Sequence, residues 1–148
     1  MERTIDSFTE ENRFLSNYYA SPITYEGVEY PTVEHAFQAA KTLDVETRKR
    51  IAAMNTPGEA KYMGRCVTLR KDWEQVKFSV MKELLELKFR SNTALALRLL
   101  ATGDAYLIEG NTWNDTIWGV CNGKGQNNLG KLLMEVRSEL DAENRTKI

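Results

Sequence analysis

Residues 22–43 read PITYEGVEYPTVEHAFQAAKTL, and this stretch decides the fold. Its first part alternates around Glu26-Gly27, so that Ile23 and Tyr25 face Val28 and Tyr30 across a hairpin. Gly27 can take the positive φ that such a turn needs. Pro31-Thr32 then opens a helix, with Thr32 as N-cap and Glu34 favoured in the positive first turn. The pattern carries this helix to about Leu43.

The same helical signals continue along the chain. Asp44 caps a second helix through about Met54. Thr56-Pro57-Gly58-Glu59 has Thr at N-cap, Pro at N1 and Glu at N3, a capping box, and Gly64 is the expected C′ terminator. Asp72-Trp73-Glu74-Gln75 resembles another capping box and opens the longest helix, to about Phe89. Trp73, Val76, Val80, Leu84 and Leu87 recur there at helical spacing, widened by Met81 and Leu85. A short helix over 93–101 ends at Gly103, and residues 105–109 and 116–120 read as strand-like or extended. A last helix starts near Asn127 or Asn128, with Leu129, Leu132, Leu133, Val136 and Leu140 as its core face. The fold class is mainly α (α+β): one compact helical domain over residues 1–148 with a few short antiparallel strands.

Composition narrows the chemistry. A chain of 148 residues can bury roughly 70% of its unfolded surface, so it needs neither disulfides nor a metal in order to fold. Charged residues make up 28% and the net charge is −1, which gives no basic field for a nucleic-acid backbone. The 20 Lys and Arg still permit a local anion site. Cys66 and Cys121 form no disulfide framework and read as buried small hydrophobes or spectators in a reduced cytoplasm. MERTIDSFTEEN is too polar and acidic for a secretory signal, and no apolar run approaches the roughly 20 residues of a membrane span. His35 is the only histidine, which removes catalytic triads and multi-His metal sites unless His35 carries them alone. Acid–base chemistry therefore rests mainly on Asp, Glu, Lys or Tyr, with no metal and no cofactor expected.

Four stretches can carry that chemistry. Glu34, Gln38 and Lys41, at i, i+4 and i+7, fall within roughly 60° on one helix face. Glu34 is the acid–base candidate, and Lys41 its ion-pair partner or an amine nucleophile. A solvated charged face has the same pattern. Trp113-Asn114-Asp115-Thr116-Ile117-Trp118-Gly119 offers a ring to stack a base and a carboxylate to orient it, or a turn with two tryptophans plugging the core. Gly123-Lys124-Gly125-Gln126-Asn127-Asn128 leads into a helix start, where backbone N–H groups bind anions, or is a connector with an Asn cap. Asn17, within Phe14-Leu15-Ser16-Asn17, can bond a base or sugar hydroxyl, or serve as a turn residue. Arg65 and Arg70-Lys71 stand beside helix ends, suited to phosphate or simply solvated.

Taken in order, these motifs resemble the NADAR (YbiA-like) family from Phe14 to Arg137: F-x-S-N, P-T-x-E-H-x-F-Q-A-x-K, M-G-R, W-x-x-V-K, N-D-x-x-W-G and G-x-G-x-N-x-L-G-x-x-L-M. The resemblance implies a hydrolase of ribosyl N-glycosidic bonds. Its substrate would be a phosphoribosylated pyrimidine of riboflavin synthesis or ADP-ribosylated guanine, a small molecule or a modified base within nucleic acid. It places catalytic roles on Glu34, Lys41 and Asp115. It places substrate-binding roles on Phe14, Ser16, Asn17, His35, Gln38 and Arg65, and on Trp73, Trp118, Gly119, Gly123, Gly125 and Asn127. Val120-Cys121 departs from the more polar, glycine-rich turn expected after Trp118-Gly119. The competing readings are a non-catalytic ADP-ribose or nucleotide-binding module and a helical protein–protein adaptor.

Overall fold

The computed structural model describes residues 3–146. Its contacts group them into two compact units: residues 17–91, and the stretches up to Ser16 and from Asn92 onward. The sequence has no linker at either boundary and gave no sign of this division. Among the described residues no helix is long and apolar enough to cross a membrane.

Residues 17–91 begin with the hairpin β2 (Ile23–Tyr25) and β3 (Val28–Tyr30), numbered after β1 (Thr4–Ile5) in the other unit. Ile23 pairs with Tyr30 and Tyr25 with Val28, the register read from the alternation. Both Glu26 and Gly27 take positive φ, 48° and 84°, as a two-residue hairpin turn demands. Four helices follow: α1 (Val33–Ala39), α2 (Val45–Ala52), α3 (Pro57–Cys66) and α4 (Trp73–Arg90). Three starts are fixed locally, because Thr32, Asp44 and Thr56 each accept a backbone N–H three residues on. α1 packs on α2, α3 and α4, and every residue of α1 is buried.

Three local expectations are corrected here. α1 ends at Ala39 rather than near Leu43. Lys41 and Thr42 donate to the carbonyls of Gln38 and Ala39 in a tighter closing turn, so Lys41 lies just beyond the helix. Gly64 does not end α3. It is buried inside that helix, for a packing reason taken up below. Asp72 makes no side-chain cap for α4, because Arg70 holds its carboxylate in two bonds of 2.6 and 3.0 Å.

The other unit holds β1, a 3-10 turn at Glu10–Leu15, and α5 (Thr93–Ala101). Then come β4 (Tyr106–Leu107), β5 (Gly110–Asn111), β6 (Val120–Cys121) and α6 (Asn128–Thr146). The expected antiparallel pairing holds only for the hairpin. β1 pairs parallel with β4, and β5 parallel with β6. Leu129, Leu133 and Val136 form the buried stripe of α6. Of the two thiols, Cys121 is buried as expected, whereas Cys66 is exposed.

Candidate active site

In residues 17–91 the site begins at the α1 cap. Thr32 Oγ1 accepts the His35 N–H at 3.1 Å, which sets the helix start and places Glu34 in its first turn. The Glu34 backbone N–H donates to the carbonyl of Asn17 at 3.1 Å, tying the 17–19 segment to the same turn. The Glu34 side chain is only 8% exposed. Its Oε2 accepts from Gln38 Nε2 at 2.6 Å, one helical turn on. A carboxylate so buried needs its donors, since ionisation away from water is costly.

A lysine and a phenol are coupled to this carboxylate, and Arg65 acts on both of them. Burial lowers the Lys41 amine from its ordinary pKa; Glu34 opposes the shift, and Arg65 and Lys61 add to it. Burial raises the Tyr18 phenol, the Glu34 charge raises it further, and Arg65 opposes. Asn17, Tyr18, Glu34, Gln38, Lys41 and Arg65 thus form one cluster. Tyr18 was not singled out from the sequence. Its only signal is its place next to Asn17, and its ring is partly exposed beside a buried acid. Asn17 is buried, and its Nδ2 makes a weak bond to the Met81 sulfur at 3.6 Å.

Two predicted substrate contacts in this unit are taken up by packing. His35 is 1% exposed; its Nδ1 meets Thr32 Oγ1 at 2.8 Å and its Nε2 meets the Met54 carbonyl at 3.0 Å. Burial holds the imidazole below its ordinary pKa. Trp73 is also buried, with its ring 5.1 Å from that of Phe37 and tilted by 54°.

The other unit carries the remaining predicted positions. Phe14 is buried under the Arg98 guanidinium, 4.2 Å from its ring centre, and Ser16 closes the 3-10 turn by donating its N–H to Arg13. Asp115 Oδ1 accepts from the backbone N–H groups of Ile117 and Trp118 at 3.2 and 2.9 Å. The Asn111 side chain clamps both the N–H and the carbonyl of Asp115. Gly119 and Gly125 lie so close that a Cβ on Gly125 would strike the Gly119 carbonyl. Gly123 lies in the tight turn closed by the bonds between Cys121 and Lys124. The expected anion cradle at the start of α6 is not open. The N–H groups of Gln126, Asn127, Asn128 and Leu129 donate to the carbonyls of Thr116, Gly119, Ile117 and Trp118. Asn127, 5% exposed, uses its whole amide on backbone, accepting from Glu109 N–H and donating to the Leu107 carbonyl, both at 2.9 Å.

Among the described residues no group of three or more His, Cys, Asp or Glu side chains is placed to hold a metal ion. The NADAR domain family model matches residues 5–141, nearly the whole chain. The chain belongs to the NADAR family. Among NADAR relatives, the protein of Escherichia coli K12 named N-glycosidase YbiA is 44% identical, covering 97% of this chain and 92% of that protein. A protein of Nostoc punctiforme, also named an N-glycosidase, is 40% identical over 85% of this chain and 84% of its own length. A Vibrio vulnificus protein named for riboflavin biosynthesis is 38% identical over 88% of this chain, which matches 36% of that longer protein. The solved NMR structure of E. coli YbiA matches with a TM-score of 0.85 at 42% identity, covering 97% of this chain and 89% of that one.

Proposed function

We propose that this NADAR protein is an N-glycosidase that hydrolyses the bond between ribosyl C1′ and a base nitrogen in a phosphoribosylated pyrimidine related to riboflavin synthesis. The observation that carries the reading is the buried Glu34 carboxylate, bonded to Gln38 and electrostatically coupled to Lys41. The kinship with proteins named N-glycosidases supports the reaction class, and the riboflavin-named relative supports the substrate.

Cleavage of the C1′–N bond develops positive charge on the sugar, and a fixed carboxylate stabilises it. Glu34 meets that requirement, and it can also take a proton from the attacking water. The water oxygen bonds to C1′, and the base leaves with the C–N electron pair and is protonated. Arg65 supplies a cation for the substrate phosphate, and Tyr18, with its hydroxyl near both charges, orients the sugar. The test is product analysis by mass spectrometry on a phosphoribosylaminopyrimidine, with ADP-ribosylated guanine as the second substrate. Release of free base by the native protein and its loss in Glu34→Gln is the expected result. Turnover retained in Glu34→Gln overturns the role given to Glu34.

Lys41 favours a second route. Burial lowers its amine pKa, which raises the neutral, nucleophilic fraction. Its attack on C1′ displaces the base, which leaves with the C–N electron pair and is protonated; ring opening then gives a Schiff base between Lys41 and C1′, and water hydrolyses it to free the sugar and return the lysine. Borohydride during turnover reduces such an imine to a stable adduct on Lys41. An adduct-free protein that turns over normally leaves the water route.

A further inference from the structure

An α-helix disfavours glycine, yet α3 carries one at Gly64, buried in its last turn and still helical rather than at the positive φ of a terminator. The packing gives the reason. The three nearest heavy atoms that a Cβ at position 64 would meet all belong to the Gln38 side chain, and its Oε1 would clash outright. The Gln38 amide therefore occupies the space that Gly64 leaves empty.

Gln38 is 4% exposed, and its amide orientation is fixed by chemistry. Nε2 lies 2.6 Å from Glu34 Oε2; an ionised carboxylate only accepts, so the nitrogen must face it. Oε1 then points at Gly64 and has no hydrogen-bond partner among the described residues. A buried acceptor left unpaired is costly, and natural cores rarely keep one without a reason. If Glu34 carried a proton, the amide could turn and Oε1 could accept it, removing the orphan. The observed arrangement, with a donor on Glu34 and the amide oxygen turned away, favours the carboxylate over the neutral acid.

We propose that Gly64 is a positioning residue for the reaction: it makes room for Gln38 to keep its N–H on Glu34, so that Glu34 enters catalysis as a carboxylate rather than as a general acid. This rests on the N-glycosidase reading only for its consequence in turnover. The charge state of Glu34 is measurable without substrate.

The experiment is a double-mutant cycle over Gly64→Ala and Gln38→Ala, read by two signals. The first is the pH profile of kcat/KM. The second is the carbon-13 titration of the Glu34 carboxyl, assigned by its loss in Glu34→Gln. Loss of a hydrogen bond to a charged group corresponds to about 10- to 100-fold in rate, so each single variant is expected to lose that much. In each the Glu34 titration and the acid limb move to higher pH, because the lost donor favoured the charged form. Lys41 and Tyr18 interact with the same carboxylate, Arg65 acts on both, and all three remain in every variant. The double variant is expected to match Gln38→Ala alone, because both changes remove one contact. Residue 38 as alanine keeps only a Cβ, 3.0 Å from the added methyl, so the double variant folds with a small shift even if Gly64→Ala alone does not. Additive losses, or a Glu34 titration unmoved in Gln38→Ala and in the double variant, overturn the proposal. If the native protein turns over neither substrate, the function reading fails, and the carbon-13 titration still decides the role of Gly64.

Discussion

The Glu34 helix and the Asp115 loop each hold an acid that the sequence offered for chemistry, with a structural reading open for both. The structure separates them by what each acid binds. Asp115 gives its oxygen to two backbone N–H groups, the work of a turn residue. Glu34 is bonded by a side chain and acts electrostatically on the Lys41 amine and the Tyr18 phenol. One acid spends an oxygen on shaping its own loop, whereas the other is held by a side chain on its own helix.

Substitution at the two acids gives the sharpest break. Glu34→Gln is expected to lower kcat/KM by about 10²- to 10⁴-fold with an almost unchanged unfolding midpoint. Asp115→Asn keeps an acceptor oxygen and is expected to keep turnover. A dead but stable Asp115→Asn protein would mean that the loop shares the chemistry and that the contrast is wrong. Next in size is Asn127→Ala, which strands a buried N–H at Glu109 and a carbonyl at Leu107. It is expected to cost about 2–4 kcal/mol of stability in denaturant unfolding, with kcat per folded molecule unaltered.

Lys88 gives the smallest effect per pH unit and tests the cost of a buried charge. It lies in the same unit as Glu34, fully buried between the rings of Tyr19 and Phe89. Burial lowers its amine from 10.5 to about 7. Below about pH 7 both the folded and the unfolded chain hold the proton, and the folded one bears the desolvation cost. As pH rises from 7 toward 10.5 the folded amine releases its proton first, so stability increases, by at most about 1.4 kcal/mol per pH unit. The unfolding midpoint is expected to climb between pH 7 and 9, and the slope to flatten in Lys88→Met. A flat profile in the native protein refutes this account of Lys88.

What was legible in the sequence was local. Thr32, Asp44 and Thr56 cap helices because the N–H they bind lies three residues away, and the hairpin register follows from alternation. The parallel pairs were not legible, since Thr4 meets Tyr106 across most of the chain and each strand is two residues long. Gly103 and Gly64 looked alike as helix terminators. Gly103 follows α5 at positive φ, whereas the reason for Gly64 is a glutamine on another helix. Of the site, spacing brought Glu34 and Gln38 together. Their burial, and the partnership with Tyr18 and Arg65, depends on how α1 and α3 pack.

The two bonds of His35 give the protein a built-in reporter. A neutral imidazole has one N–H, and the Met54 carbonyl can only accept, so that hydrogen sits on Nε2 while Nδ1 receives the Thr32 hydroxyl. The chain has no other histidine. Its imidazole nitrogen resonances therefore need no assignment. A single tautomer in the spectrum marks an intact junction between the start of α1 and the segment after α2, one residue away from the Glu34 carboxylate.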